Sequence, residues 1–231
     1  MDWVAKLCVM VLILAGLSMV GMLVFCAIDP YATFDLDYYQ IKLGLMSIPK
    51  NPTDGWGLAL YLALNQTAVK YIGTTVLNET TPKQIEEFKH NVTALVEYMR
   101  GWIKRHIKYK EHPYLWVELP DVLFRRGYGV CIDYAELFIG TMMYLNYSPV
   151  FLVITQHGNH ATAGVKVGND ILFFDEWYNL YLRDWIKWQP NAWWGYIDDN
   201  EYYMIAKVDG MWKVRQVYKN DLIALTLPRH T

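Results

Sequence analysis

Cysteine is scarce in this sequence, with three cysteines among 231 residues. Cys8 and Cys26 lie in or beside an apolar run near the N-terminus, which leaves Cys131 as the one thiol of the rest of the chain. A fold held together by disulfides is therefore excluded for that part. Three explanations remain for Cys131: a buried inert side chain, a partner in an intermolecular bridge, or a reactive thiol. The residues around it must decide among these explanations.

An excess of positive charge is also missing. The formal net charge is -2, the pI is near 6.3, and the 21 lysines and arginines are scattered along the chain. Because nucleic-acid binding relies on a concentrated basic surface, we expect no nucleic-acid partner. The 54% apolar and 16% aromatic content allows one compact domain with a full core.

One long apolar run interrupts this ordinary composition. Leu7 to Ile28 contains no charged residue, and as a helix it would extend roughly 33 Å, enough to cross a membrane. It exceeds the core of a cleaved signal peptide and no Ala-x-Ala site follows it. We expect residues 1–28 to be an uncleaved single-pass anchor with the N-terminus inside, residues 29–52 a tether, and residues 53–231 the folded domain.

Two further observations concern the type of anchor and the side of the membrane on which the domain lies. A lipoprotein anchor on Cys26 is disfavoured by the bulky Phe25 before it. Acceptor patterns for N-glycosylation occur at four asparagines and favour an exported domain. They are Asn65, Asn78, Asn91 and Asn146.

Hydrophobic periodicity and capping residues predict the helices. Asp54 precedes a helix to about Ile72, and Thr81-Pro82-Lys83-Gln84 forms a capping box for a helix to Ile107. A helical turn at 120–124 and a helix from Cys131 to Leu145 follow.

Alternation of apolar residues and turn dipeptides predict an antiparallel sheet after that helix. The predicted strands are 150–155, 162–167, 171–175, 202–208 and 211–218. The aromatic segment 177–196 lacks a period and is expected to form a loop-rich wall. The fold class is therefore α+β, with helices packed on an antiparallel sheet.

Cys131 follows a loop that contains Gly127 and Gly129 and occupies the first turn of its predicted helix. The helix dipole there favours the thiolate, whereas Asp133 and Glu136 nearby oppose it, so a base is required. His160 lies on or just before one predicted strand and Asp175 ends the antiparallel partner strand, so an imidazole can sit between the thiol and a carboxylate.

Other assignments of these roles remain open. His157 is a second candidate base, and Asp170 is a second candidate carboxylate, although it lies in a turn. His157, His160 and Asp175 could hold a metal, but they lack the helical spacing that is common in zinc enzymes. We expect neither a metal nor a cofactor. Asp133 is expected to cap its helix or to pair with an arginine of the preceding segment.

The segments GYGVCIDYAEL, GNHATAG and ILFFDEW, with WVELPDVLFRRGYG before them, resemble the core of the transglutaminase-like superfamily. The resemblance extends from about Trp102 to Asp175. It implies a papain-like core in which Cys131, His160 and Asp175 form a catalytic triad. Thr162 departs from the family pattern, which often has a bulky residue there.

The resemblance also implies acyl transfer from a protein or peptide carboxamide through a thioester. Oxyanion stabilisation would come from the backbone N–H of Cys131 and from an indole N–H, with Trp116 and Trp102 as candidates. The alternative is a catalytically inactive surface domain that uses the aromatic segment to bind a protein or glycan partner.

Overall fold

A computed structural model describes residues 55–110, 117, 119–155, 160–188 and 200–226, with the side chains of 186–188 outside this description. Among these residues no helix combines the length and the apolar character needed to cross a bilayer. The predicted anchor, the tether, Asp54 and His157 lie outside the described residues. Their assignments stay predictions.

The described chain is mostly helical in its first half and rich in strands in its second half. The helices are α1 (Gly55–Leu64), α2 (Gln66–Val76), α3 (Pro82–Phe88), α4 (Val92–His106), α5 (Pro120–Arg126), α6 (Cys131–Tyr144), α7 (Leu182–Trp188) and α8 (Lys219–Thr226). The strands are β1 (Lys108–Tyr109), β2 (Tyr128–Gly129), β3 (Val150–Thr155), β4 (His160–Val167), β5 (Asp170–Phe174), β6 (Asn179–Tyr181), β7 (Asn200–Val208) and β8 (Met211–Val217).

Six of these strands form an antiparallel sheet with the order β6-β5-β4-β3-β7-β8. The expected α+β architecture is confirmed. The five predicted strands are present, with ends that differ by at most two residues from the predicted ones. β3 is central and almost wholly apolar, and four of its six residues are fully buried. A strand covered on both faces has this composition because neither face meets water.

Helix α6 is the centre of the helical layer. It packs on β3 and β4 and is covered by α2 on another side. Twelve of its fourteen residues are buried, so its first residue is held by the core of the domain. Gly140 allows the close approach of α2, since a Cβ there would lie 2.7 Å from Ile72 Cδ1.

Two predicted helices are each divided in the structure. Asn65 ends α1 and its side chain accepts a hydrogen bond from Ala68 N, so it begins α2. Asn91 likewise accepts from Ala94 N and begins α4. Asparagine favours such N-cap positions because its side-chain oxygen satisfies a free backbone N–H. The predicted Thr81–Gln84 capping box is present at α3.

The aromatic segment after β5 is more regular than expected. Residues 179–181 form β6 and residues 182–188 form α7, whereas 189–196 lie outside the description. Trp185 is fully buried, and its ring centroid lies 5.0 Å from that of Phe173. An aromatic anchor of this size fixes the segment against the sheet, which periodicity alone does not reveal.

Candidate active site

The chain turns sharply before Cys131. Gly127 ends α5 with φ of 68°, in the left-handed region that glycine adopts without strain. A Cβ on Gly129 would lie 2.8 Å from Asp133 Oδ2 and 2.9 Å from Leu123 Cδ1. The two glycines therefore let the loop pass tightly under the start of α6, where Cys131 is 8% exposed.

A two-residue parallel bridge brings a tyrosine to this cysteine. In the β1–β2 pair, Tyr109 is the register partner of Gly129, two residues before Cys131. The Tyr109 side chain hydrogen-bonds Cys131. Burial together with the charge of a Cys131 thiolate raises the pKa of Tyr109 to about 12, so its hydroxyl remains a donor over the physiological pH range.

His160 is the first residue of β4 and is 4% exposed. Its Nε2 lies 2.8 Å from Oδ2 of Asp175, which directly follows β5 and is 2% exposed. The β4–β5 register pairs Ala163 with Phe174, so Asp175 follows on the same sheet face as His160 and lies diagonally from it. Nδ1 is then the ring nitrogen left for the thiol.

The imidazole also interacts with Cys131, by a side-chain hydrogen bond and by charge. Burial opposes protonation of His160, but the hydrogen bonds to Asp175 and Cys131 outweigh it and raise the pKa of His160 to about 9. The side chain is thus an imidazolium at neutral pH. An imidazolium between a thiol and a carboxylate stabilises the thiolate, which is the nucleophilic form of cysteine.

The carboxylate of Asp175 is fixed by its own loop. Its Oδ1 accepts hydrogen bonds from Trp177 N at 2.6 Å and Tyr178 N at 3.0 Å. Its backbone oxygen accepts from Arg100 Nε at 2.6 Å. The Arg100 guanidinium also donates to Tyr178 O and, at 2.5 Å, to Asn179 Oδ1. Arg100 therefore ties α4 to the loop that carries Asp175.

The model of the family described as "Transglutaminase-like domain" matches residues 67–202, more than half of the chain. This chain belongs to the transglutaminase-like domain family. The resemblance expected for Trp102 to Asp175 is confirmed and extends further on both sides.

One curated relative is an uncharacterised-family protein, UPF0252 protein PH1321 of Pyrococcus horikoshii. It is 27% identical over 124 residues, which cover 51% of this chain and 32% of the relative. The chain thus matches about a third of that relative's length. No solved structure matches the chain.

Aromatic side chains cover the imidazole of this transglutaminase-like domain. The Trp177 ring stacks on His160 with centroids 5.8 Å apart and planes at 18°. Thr162, which departs from the family pattern, is fully buried, and its hydroxyl hydrogen-bonds the Tyr178 hydroxyl at 2.8 Å. Bulky residues after Asp175 thus line the region beside the histidine, where the smaller Thr162 leaves room for Tyr178.

The acidic residues of α6 are engaged in packing and capping. Asp133 is fully buried and its Oδ2 accepts from Val130 N at 2.8 Å, which caps the helix as expected. Of the two arginines considered as its partner, Arg125 and Arg126, Arg125 bonds Asp121 instead. Glu136 lies close enough to Tyr61 of α1 for its charge to act on the phenol. Burial and the Glu136 charge raise the pKa of Tyr61 to about 12.

A cavity of about 310 Å³ opens beside Cys131 and His160. It adjoins Cys131 and His160 through Tyr109 and Trp177, which contact them and also line the cavity. Apolar and aromatic side chains form most of its wall: Ile103, Ile107, Tyr109, Tyr134, Phe138 and Trp177.

Charged side chains complete the wall. Lys104 and Lys108 are exposed, and Arg100 is engaged with the Asp175 loop. Glu176 contributes two buried carboxylate oxygens, which accept no hydrogen bond from any other residue that the structure describes. Burial and the adjacent Asp175 charge raise the pKa of Glu176.

Other expected site residues have different positions. Trp102 is 3% exposed and stacks on His106, with Phe124 edge-on, and it is not among the described residues of the cavity wall. Trp116 lies outside the described residues. Asp170 begins β5 and its Oδ1 accepts from Ile171 N.

Three side chains of the types that bind metal ions in proteins lie close together at this site. Ligand atoms of His160, Asp175 and Glu176 lie within 4.8 Å of one another. Two of these residues are already hydrogen-bonded to each other, which favours an imidazole–carboxylate pair over a metal centre.

Sequence reasoning missed Arg100, Tyr109 and Glu176. Arg100 gave a usable signal, because it interrupts the apolar face of α4 between Met99 and Ile103 and is only 11% exposed. Tyr109 gave none, since its two-residue strand is too short to produce a pattern.

Proposed function

We propose that this protein is a membrane-anchored cysteine acyltransferase or amidohydrolase acting on protein or peptide carboxamides. The observation that carries the proposal is the imidazole of His160, which interacts with the Cys131 thiol and lies 2.8 Å from Asp175. Membership of the transglutaminase-like family supports the same chemistry, because the family consists largely of cysteine enzymes.

In the proposed first half-reaction, the Cys131 thiolate attacks the carboxamide carbonyl and a tetrahedral oxyanion forms. Backbone N–H groups at the start of α6 form the positive end of the helix dipole and would stabilise this oxyanion. His160 then gives its proton to the departing ammonia or amine, and a thioester remains on Cys131. Asp175 keeps Nε2 protonated and the ring in place.

In the second half-reaction an amine or water attacks the thioester. Neutral His160 takes the proton of the attacking group, and the thiolate–imidazolium pair is restored. Transfer and hydrolysis therefore use the same residues, and they differ in the nucleophile that reaches the thioester.

We further propose that residues 1–28 anchor the protein and that the catalytic domain lies outside the membrane. The support is the apolar run from Leu7 to Ile28 and the four acceptor patterns for N-glycosylation. The proposed substrate is accordingly a protein or peptide that meets the outer membrane surface.

The test uses full-length protein in mild detergent with a glutamine-containing peptide. Wild-type protein should release ammonia and gain the mass of the peptide less ammonia, whereas Cys131→Ala should do neither. Cys26→Ala is the matched control, because it removes a thiol of the apolar run and keeps Cys131. It should behave as wild type.

Iodoacetamide provides an independent reading of the same pair. A thiolate paired with imidazolium reacts rapidly even at mildly acidic pH, whereas an ordinary buried thiol reacts slowly. Equal ammonia release by wild type and Cys131→Ala, with slow alkylation, would instead support the inactive partner-binding domain.

A further inference from the structure

Two hydroxyl groups near Asp175 take no part in the proposed reaction. They belong to Thr162, which is fully buried, and to Tyr178, and their oxygens lie 2.8 Å apart. Thr162 follows His160 on β4 at the spacing that places both side chains on one face of the sheet. Tyr178 lies in the loop that begins at Asp175. The hydroxyl pair therefore joins the strand of the imidazole to the loop of the carboxylate.

The direction of the hydrogen bonds in this pair follows from the groups that they join. The Tyr178 side chain also hydrogen-bonds Asp175. Because an ionised carboxylate only accepts hydrogen bonds, the phenol donates its proton to Asp175. The Thr162 hydroxyl then donates to the phenol oxygen. Burial and the Asp175 charge raise the pKa of Tyr178, so the phenol keeps its proton over the physiological pH range.

The phenol is one of several donors to the Asp175 carboxylate. Trp177 N and Tyr178 N donate to Oδ1, and His160 Nε2 lies at Oδ2. Each hydrogen bond that a carboxylate accepts stabilises its negative charge, so less of that charge is left to hold the proton on His160. The hydrogen bond from Thr162 polarises the phenol O–H and makes it a stronger donor.

We propose that the hydroxyls of Thr162 and Tyr178 form a positioning pair that acts on the triad through Asp175. The pair shares the charge of the carboxylate and thereby limits how strongly Asp175 holds the His160 imidazolium. The inference deepens the proposed function, because His160 must release this proton to the departing ammonia or amine in the first half-reaction. An imidazolium that is held too strongly is a weaker acid and slows that step.

Each hydroxyl can be removed with little change in packing. The Tyr178 ring centroid lies 5.7 Å from that of the fully buried Trp185, and phenylalanine keeps this contact. Valine keeps the branched shape of Thr162 without its hydroxyl. The other charged groups that act on His160 are Cys131, Asp175 and Glu176, and neither substitution alters them.

NMR titration of the His160 ring, on the full-length protein in mild detergent, tests the proposal. The pKa of His160 is about 9 in wild type. It should rise by about 0.5 to 1 in Tyr178→Phe, because one neutral hydrogen bond no longer shares the Asp175 charge. Thr162→Val should raise it by less, and Thr162→Ser, which keeps a hydroxyl, should retain the wild-type value.

Tyr98→Phe is the matched control. The Tyr98 side chain is partly buried like that of Tyr178, but its hydroxyl donates to Val76 O of α2 at 2.8 Å, so its removal should leave the His160 titration unchanged. An unchanged pKa in Tyr178→Phe, or a lower one, would assign the hydroxyls a purely structural role and overturn the proposal. Thr162→Val gives the same reading should Tyr178→Phe not fold.

Two acyl donors separate this inference from the proposed function. Ammonia needs a proton from His160 as it leaves a glutamine-containing peptide, whereas p-nitrophenolate leaves an ester without one. In Tyr178→Phe, kcat/KM for the peptide should fall about two- to threefold relative to kcat/KM for the ester. An equal fall with both donors would contradict the proposal. If wild-type protein releases no ammonia, the proposed function is rejected, and the His160 titration still decides whether the pair acts through Asp175.

Discussion

At the scale of single residues, His160 links the stability of the domain to pH. The pKa of His160 is about 9 in the folded protein, above its ordinary value of about 6.5. Protonation therefore stabilises the fold below about pH 6.5, and this contribution is lost as the pH rises through 9. Linkage sets its upper limit at about 3 kcal/mol.

We expect the free energy of unfolding to fall between pH 6.5 and 9.5, by up to about 3 kcal/mol more in wild type than in His160→Gln. The glutamine removes the titrating group, so subtracting its profile removes the contributions of other groups. Denaturant unfolding at several pH values measures both. Parallel profiles would show that His160 has an ordinary pKa in the fold.

The three residues of the proposed triad were predictable because local patterns reveal them. Short stretches of sequence contain the glycines before Cys131 and predict the hairpin that joins His160 to Asp175. The charge of Arg100 in the apolar face of α4 indicates a buried partner, but that partner is a backbone oxygen 75 residues away, which no local pattern encodes. Long-range hydrogen bonds of this kind depend on the assembled fold.

At the scale of elements, the contact between α4 and the loop after β5 determines how firmly Asp175 is held. Arg100 makes that contact through the Asp175 and Tyr178 backbone oxygens and the Asn179 side chain. Helix periodicity predicted α4, but it also joined α3 and α4 into one helix, because the capping role of Asn91 was not recognised. The cap sets the start of the helix that presents Arg100.

Arg100→Ala should lower the free energy of unfolding by about 2–4 kcal/mol, because partly buried charge-assisted hydrogen bonds are lost. It should also lower kcat and the pKa of His160, since Asp175 becomes less well ordered. NMR titration of the His160 ring and denaturant unfolding measure these effects.

Arg105→Ala is the control for that experiment. Arg105 lies later on α4, is exposed, and pairs with the exposed Glu79, so its removal should have a much smaller effect on stability. It should leave the His160 titration unchanged. Equal effects of the two substitutions would assign Arg100 a general helix role with no bearing on Asp175.

At the scale of the whole molecule, the proposed anchor confines the chemistry to a membrane surface. Replacing Leu14 and Leu17 by lysine places two charges in the apolar run, each costing about 2.5–3.5 kcal/mol at the membrane centre. We expect wild-type protein to resist alkaline extraction from membranes and the double variant to be released. A Leu14→Ala, Leu17→Ala variant should stay in the membrane fraction.

Cysteine labelling of intact cells tests on which side of the membrane the domain lies. An alkylating reagent that cannot cross membranes should modify Cys131 from outside when the domain is external. Modification that requires disruption of the membrane would place the domain inside and reject the proposed orientation.

The register of the sheet also bears on how such a domain can diversify. Thr155 at the end of β3 is paired with both His160 and Asn200, so β3 ends, and β4 and β7 begin, at the end of the sheet that carries the imidazole. Insertions and exchanges in connecting segments leave a sheet framework largely undisturbed. Evolution can therefore exchange the two connections that lead into β4 and β7 while every strand keeps its partners.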